Sequence, residues 1–119
     1  MKTQHEALGD AAKLGETLAR LAATIDARAG ADPATSWTAK LLAGGPELTA
    51  KKLGEEGAEA ALAVASQGDK EVTAESADVL YHLLVALRSR GVSLDRVAAE
   101  LAAREGKSGL EEKAARPKS

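Results

Sequence analysis

No segment of this chain carries the alternation of β-branched and polar residues that is typical of a β-strand. Strong helix formers dominate instead: Ala, Leu, Glu, Lys and Arg. The pattern predicts an all-α protein, a helical bundle of about five helices per chain. Breaks rich in Gly, Pro and Asp divide it into predicted helices over residues 3–29, 36–43, 46–66, 69–90 and 93–104. Polar residues at three of the helix starts are the expected N-caps: Thr35 or Ser36, Asp69, and Ser93.

At 119 residues the chain has the size of one domain, which we assign to residues 1–104. Residues 105–119 are polar and rich in Gly, Ser and Lys, and we expect them to form a flexible tail. A net charge of −2 gives no basic surface for nucleic acid or an anionic membrane. The first twenty residues contain acids and no continuous apolar run, so we expect neither a secretory signal nor a membrane anchor. The absence of cysteine excludes a Cys-based zinc site and a thiol nucleophile, and it fits a cytoplasmic protein.

The fourth predicted helix is apolar on nearly every side. Between Ala77 and Leu87 only Asp78, Tyr81 and His82 are polar. Such a helix has to be covered on nearly every side, and a chain this small, with one Trp, one Tyr and no Phe, has little surface to cover it. We therefore expect a homodimer, or a dimer of dimers, in which dimerisation completes the core.

Two predicted helices each carry a stripe of acidic side chains within otherwise apolar sequence. On the third helix four charged residues fall within an arc of about 100°: Lys52, Glu55, Glu56 and Glu59. On the fourth helix four residues fall within about 60°: Glu71, Glu75, Asp78 and His82. Packed carboxylates raise one another's pKa and are costly to desolvate, so such a cluster persists only when it is wet, paired with bases or holding cations. Carboxylate oxygens are the ligands that magnesium prefers, and the stripes therefore predict a magnesium site that handles phosphates.

The acids lie within ordered sequence motifs. GEEGAE at 54–59 and ESAD at 75–78 are similar to the EExxE and ExxD motifs of the all-α NTP pyrophosphatase superfamily, which includes MazG-like enzymes. Over about residues 15–104 the chain resembles, more closely, the phosphoribosyl-ATP pyrophosphatases of histidine biosynthesis. Three stretches carry this resemblance: SWTAKL at 36–41, KLGEE at 52–56 and ADVLYHLL at 77–84.

The resemblance implies a magnesium-dependent hydrolase that converts phosphoribosyl-ATP to phosphoribosyl-AMP and pyrophosphate, as a homodimer. It implies five metal ligands: Glu55, Glu56, Glu59, Glu75 and Asp78. Glu56 and Glu75 are the expected catalytic residues, with Glu75 acting as a ligand or as the base that orients the attacking water. The expected substrate-binding residues are Ser36, Trp37, Thr38, Lys40, Lys51 and Lys52.

Other functions remain open on the sequence. A housecleaning NTP pyrophosphatase has the same metal machinery and a different base or sugar preference, and a helical dimerisation module needs no activity at all. A di-iron bundle would need Glu-x-x-His on two helices, and neither His5 nor His82 has Glu three residues before it. We expect His82 to be a core or interface histidine that hydrogen-bonds a neighbour, because magnesium favours oxygen.

Two residues depart from the family pattern. Trp37 stands where these enzymes usually have Tyr, and it serves either as a packing anchor or as a base-stacking platform. Gly57 stands inside the EExxE helix, where a better helix former is usual and where glycine costs about 1 kcal/mol. Neither departure removes a charged group.

Overall fold

The structure, a computed structural model, describes residues 4–106 together with residues 114 and 116. Within this part of the chain the fold is helical, without strands: α1 (Gln4–Arg28), α2 (Trp37–Ala43), α3 (Gly45–Ser66), α4 (Asp69–Ser89) and α5 (Leu94–Ala103). The all-α prediction is confirmed, and each predicted helix end lies within one residue of the observed end. Apart from residues 105, 106, 114 and 116, the predicted tail lies outside the described residues.

Helix starts follow the predicted capping at two of three positions. The Ser36 hydroxyl accepts a hydrogen bond from the Ala39 N–H at 3.1 Å, and the Ser93 hydroxyl accepts one from the Arg96 N–H at 3.2 Å. The prediction that Asp69 caps α4 is wrong. Gly68 holds the N-cap position with extended backbone, and Asp69 is the first helical residue. There its negative charge still interacts favourably with the N-terminal end of the helix dipole.

The helices pack around a small aliphatic core. α3 and α4 form a hairpin around residues 67–68 and are the most extensively packed pair; α1 packs on α4, and α2 lies against both α3 and α4. The buried side chains of the core cluster are Ile25, Leu41, Leu84 and Val85. Buried alanines, Ala39 on α2 and Ala63 on α3, let the backbones approach closely. This arrangement places the acidic segments of α3 and α4 next to each other.

The apolar part of α4 is covered by the other helices of the chain, but most of its residues are only half-buried. Every residue from 79 to 87 is buried or half-buried within one chain, and His82, Leu84 and Val85 are buried. Other apolar side chains stay open to solvent, including Leu62 and Val64 of α3 at 62% and 70% exposure. None of the described helices combines the length and the apolarity that crossing a bilayer requires.

Candidate metal centre

Three carboxylates from two helices converge. Glu56 of α3 and Glu75 and Asp78 of α4 each offer one oxygen, and these oxygens all lie within 4.8 Å of one another. Glu75 and Asp78 share a face of α4 because they are three residues apart, and the hairpin brings that face against Glu56. The two acidic stripes predicted from the sequence therefore meet at one point in space.

Glu59 stands beside this group and is coupled to it. It lies one turn after Glu56 on α3, within side-chain hydrogen-bonding reach of both Glu56 and Glu75. Two carboxyl groups share a hydrogen bond only when one of them is protonated. Without a cation, Glu56 and Glu75 are thus expected to retain protons that isolated carboxylates would lose.

The pKa values of two of these acids are raised for identifiable reasons. Burial is the largest cause of the raised pKa of Glu56, the charge of Glu59 adds to it, and His82 partly offsets it. Burial also leads for Glu75, whose pKa is raised further by the charges of Glu59, Asp78 and Glu56. Both carboxylates therefore lie where negative charge is unfavourable unless a positive charge compensates it.

One oxygen of Glu75 has no partner of its own. Oε2 of Glu75 is inaccessible to solvent and makes no hydrogen bond within the part of the chain that the structure describes. Leaving an inaccessible acceptor without a hydrogen-bond partner is unfavourable, and more so when the group is charged. A metal ion is the kind of partner that such an oxygen accepts, so the donor set of this group fits a hard divalent cation.

Glu55 lies outside the convergent group. Its carboxylate pairs with Lys52 at 3.4 Å, one turn earlier on the same helix. Lys51 is exposed, and Lys52 is half-buried. Glu55 therefore stays a predicted ligand whose partner in this structure is a lysine.

The predicted substrate segment on α2 is held close to α4. Oγ1 of Thr38 lies 2.6 Å from the Tyr81 hydroxyl. Trp37 is 52% exposed, and the Lys40 ammonium lies 5.8 Å from the centroid of its ring, within the range of a cation–π contact. Ser36 is buried and serves as the N-cap of α2. Two of these side chains, Trp37 and Lys40, thus face solvent, whereas the Ser36 and Thr38 hydroxyls are occupied within the fold.

His82 is a buried histidine that hydrogen-bonds a neighbour, as predicted. It is 9% exposed, and its Nδ1–H donates a hydrogen bond to the backbone carbonyl of Asp78 at 2.8 Å. Its ring meets the ring of Tyr81 edge to face, with 4.9 Å between centroids. The Tyr81 contacts were not predicted from the sequence, because Tyr81 lies in an apolar run and nothing in the pattern marks its hydroxyl.

Comparison with known proteins identifies the family of this chain. The sequence profile of phosphoribosyl-ATP pyrophosphohydrolase matches residues 18–105, which include all four clustered acids and α2. The chain belongs to this family. It is 60% identical over 105 residues to the phosphoribosyl-ATP pyrophosphatase of Caulobacter sp. strain K31, covering 88% of this chain and 97% of that one. It is 62% identical over 101 residues to the phosphoribosyl-ATP pyrophosphatase of Methylobacterium radiotolerans, covering 84% and 94%. The resemblance drawn from the motifs is confirmed.

Proposed function

We propose that this chain hydrolyses phosphoribosyl-ATP to phosphoribosyl-AMP and pyrophosphate in histidine biosynthesis, with magnesium, as a cytoplasmic homodimer. Family membership over residues 18–105 supports the reaction. The observation that carries the site is the convergence of Glu56, Glu75 and Asp78 within 4.8 Å. Pyrophosphate is a highly charged leaving group, and a helical bundle offers few other reasons to collect carboxylates between two apolar helices.

The acids on α3 and α4 suit magnesium in their number, in their oxygen ligands and in having an oxygen without another partner among the described residues. Glu56, Glu75 and Asp78 would hold it, with Glu59 completing the set and Glu55 joining if its ion pair with Lys52 opens. The solvent-inaccessible Oε2 of Glu75 is the least satisfied oxygen of the group. Bound magnesium supplies positive charge to the phosphate oxygens and so favours departure of pyrophosphate.

The remaining work falls to side chains of this chain. Glu75 is assigned to orient and deprotonate the attacking water, because its carboxylate lies in the convergent group where the triphosphate would bind. Glu56 lies in the same group on the facing helix. Each of these two is proposed as a ligand and as a catalytic residue.

Recognition of the rest of the substrate is assigned to α2 and the start of the acidic stripe. Lys40 and Lys51 are exposed cations that can meet phosphates beyond the metal, and Lys52 can do so when it releases Glu55. Trp37 has enough exposed ring to stack on a base. Ser36 and Thr38 contribute through the position of α2, since their hydroxyls are already bonded.

A second subunit is proposed because apolar surface remains after one chain has folded. On α5, Leu101 is 62% exposed, and Leu94 and Val97 are only half-buried. Leu14 of α1 is half exposed, like the α3 residues Leu62 and Val64. Exposed apolar side chains on three helices favour an interface between copies of this chain.

Measuring pyrophosphate release from phosphoribosyl-ATP, ATP and a panel of other nucleoside triphosphates, with magnesium and with EDTA, tests this function. We expect magnesium-dependent release with phosphoribosyl-ATP as the preferred substrate. Preference for a plain triphosphate would favour the housecleaning pyrophosphatase. No release from any substrate would favour a dimerisation module.

A further inference from the structure

Tyr81 joins the two parts of the proposed active site. Its hydroxyl lies 2.6 Å from Oγ1 of Thr38, and both side chains are half-buried. Thr38 lies on α2 between Trp37 and Lys40, whereas Tyr81 lies on α4 one turn after Asp78. Between residues 4 and 106 this is the only hydrogen bond that connects α2 with α4.

The contact continues from Tyr81 to the acidic group. The Tyr81 ring packs edge to face on the ring of His82, at an angle of 90°. The His82 Nδ1–H in turn donates to the carbonyl oxygen of Asp78 at 2.8 Å. A continuous series of contacts therefore runs from α2 to the backbone of a residue in the acidic group.

α2 needs such a connection more than the other helices do. It has seven residues, and a helix that short does not persist in water without tertiary contacts. Ala39 and Leu41 bury its inner face, but apolar contacts are non-directional and tolerate small rotations. The directional contact to α4 is the hydroxyl pair.

We propose that Tyr81 is a positioning residue, which holds α2 at the distance and rotation where Trp37 and Lys40 meet a substrate whose triphosphate lies at the acidic group. The inference rests on the proposed function, since it concerns the substrate assigned there. A substrate that spans two elements is bound well only when both are held in the matching geometry. Tyr81 acts through α2 and does not itself contact the reacting phosphates.

The test is a set of variants that remove the hydrogen bond from either side with little change of shape. Tyr81→Phe and Thr38→Val are expected to raise KM for phosphoribosyl-ATP by about three- to tenfold, the range of one hydrogen bond. Their kcat at saturating magnesium is expected to stay within about twofold of wild type, because the carboxylates are unaltered. The double variant should be no worse than either single one, and Thr38→Ser, which keeps the hydroxyl, should have wild-type KM.

A second hydroxyl pair provides a matched control. Oγ1 of Thr49 on α3 lies 2.8 Å from the Ser89 hydroxyl on α4. Ser89 is eleven residues after Asp78, roughly 16 Å along the helix. Thr49→Val removes a similar interhelical bond, and Ser89 keeps its bond to the Ala86 carbonyl. It should lower the melting temperature at least as much as Tyr81→Phe does and leave KM unchanged.

Each result bears on the inference. A KM increase in Tyr81→Phe and Thr38→Val, absent in Thr38→Ser and Thr49→Val, supports positioning. Wild-type KM in Tyr81→Phe overturns it, and so does an equal KM increase in Thr49→Val, because KM would then follow stability. A wild-type protein inactive on phosphoribosyl-ATP overturns the proposed function itself, whereas an active one with an unaffected Tyr81→Phe variant overturns this inference alone.

Discussion

Glu75 combines three properties that an ordinary surface carboxylate lacks. One of its oxygens is inaccessible and has no hydrogen-bond partner among the described residues, its pKa is raised, and it faces acids from both helices. Each property disfavours the charged form of the carboxyl group. We therefore expect the acid group to destabilise the metal-free fold, and the proposed divalent cation to offset this cost by supplying positive charge.

The raised pKa values set the direction of the pH dependence of metal-free stability. Folded Glu56 and Glu75 hold protons above the ordinary value of 4.5, at a pH where the unfolded chain has already lost them. The unfolded state then binds fewer protons, so their contribution to the free energy of unfolding falls as pH rises from below 4.5 through the raised pKa values. We expect Glu75→Gln to melt at a higher temperature than wild type above this window, with the difference shrinking below it.

Melting temperatures of wild type and Glu75→Gln, measured in EDTA over a series of pH values at fixed ionic strength, test this effect. Subtracting one curve of melting temperature against pH from the other cancels the contribution of the other titrating groups. A variant that melts below wild type above the window would show instead that the carboxylate is a stabilising part of the fold.

Lys40 is proposed to recognise the part of the substrate that lies beyond its triphosphate. It is exposed, beside the Trp37 ring, on the helix that packs against both α3 and α4. Lys40→Ala should lower kcat/KM for phosphoribosyl-ATP by about 5- to 150-fold, or 1–3 kcal/mol, the scale of a charge-assisted hydrogen bond. Steady-state kinetics with phosphoribosyl-ATP and ATP measure it. An equal loss on both substrates would place Lys40 at the shared triphosphate or in the fold.

α3 carries a glycine where its geometry does not require one. A Cβ built on Gly57 meets nothing within 4 Å, and the residue lies in the interior of a regular helix. Gly57→Ala should therefore raise the free energy of unfolding by about 0.5–1 kcal/mol through helix propensity. Gly45→Ala is the opposite case, because Gly45 has φ of 72° and alanine there is strained. Urea denaturation of both variants checks the pair, and a destabilised Gly57→Ala would show that the acidic segment uses the flexibility of glycine.

The helices were predictable because their signals are local. Ser36 and Ser93 are strong N-caps, Gly44 ends α2, and Pro46 lies in the first turn of α3, so the observed ends follow the sequence closely. The N-cap of α4 is predicted one position too late, at Asp69 instead of Gly68, because both residue types are acceptable caps and only the backbone conformation decides between them. Local signals do not say which faces meet.

The acid group was predictable in part: three of the five predicted ligands converge, and Glu55 lies outside the group. Helical spacing places Glu75 and Asp78 on one face of α4, and it places Glu56 in the acidic stripe of α3. Helical spacing did not reveal that Lys52 pairs with Glu55. The Thr38–Tyr81 bond spans 43 positions in the sequence, and only the packing of α2 on α4 creates it.

Several apolar side chains stay exposed to solvent after one copy of the chain has folded. The exposed apolar side chains are Leu14, Leu62, Val64 and Leu101, each at least half exposed. Such a surface is normal for an obligate dimer and a liability for a monomer. We expect light scattering at micromolar concentration to give the mass of a homodimer or a dimer of dimers. A stable monomer of 12.2 kDa would contradict this.

The central claim is that the acids where α3 meets α4 carry out the reaction. Turnover of phosphoribosyl-ATP at saturating magnesium by Glu56→Gln and Asp78→Asn tests it most directly, because the amides keep the shape and remove the charge. Glu71→Gln is the matched control: Glu71 is an exposed acid of α4 outside the convergent group. The account predicts that both site variants lose turnover while keeping wild-type helical content, and that Glu71→Gln stays active. Near-wild-type turnover in Glu56→Gln or Asp78→Asn, or an equal loss in Glu71→Gln, would contradict it.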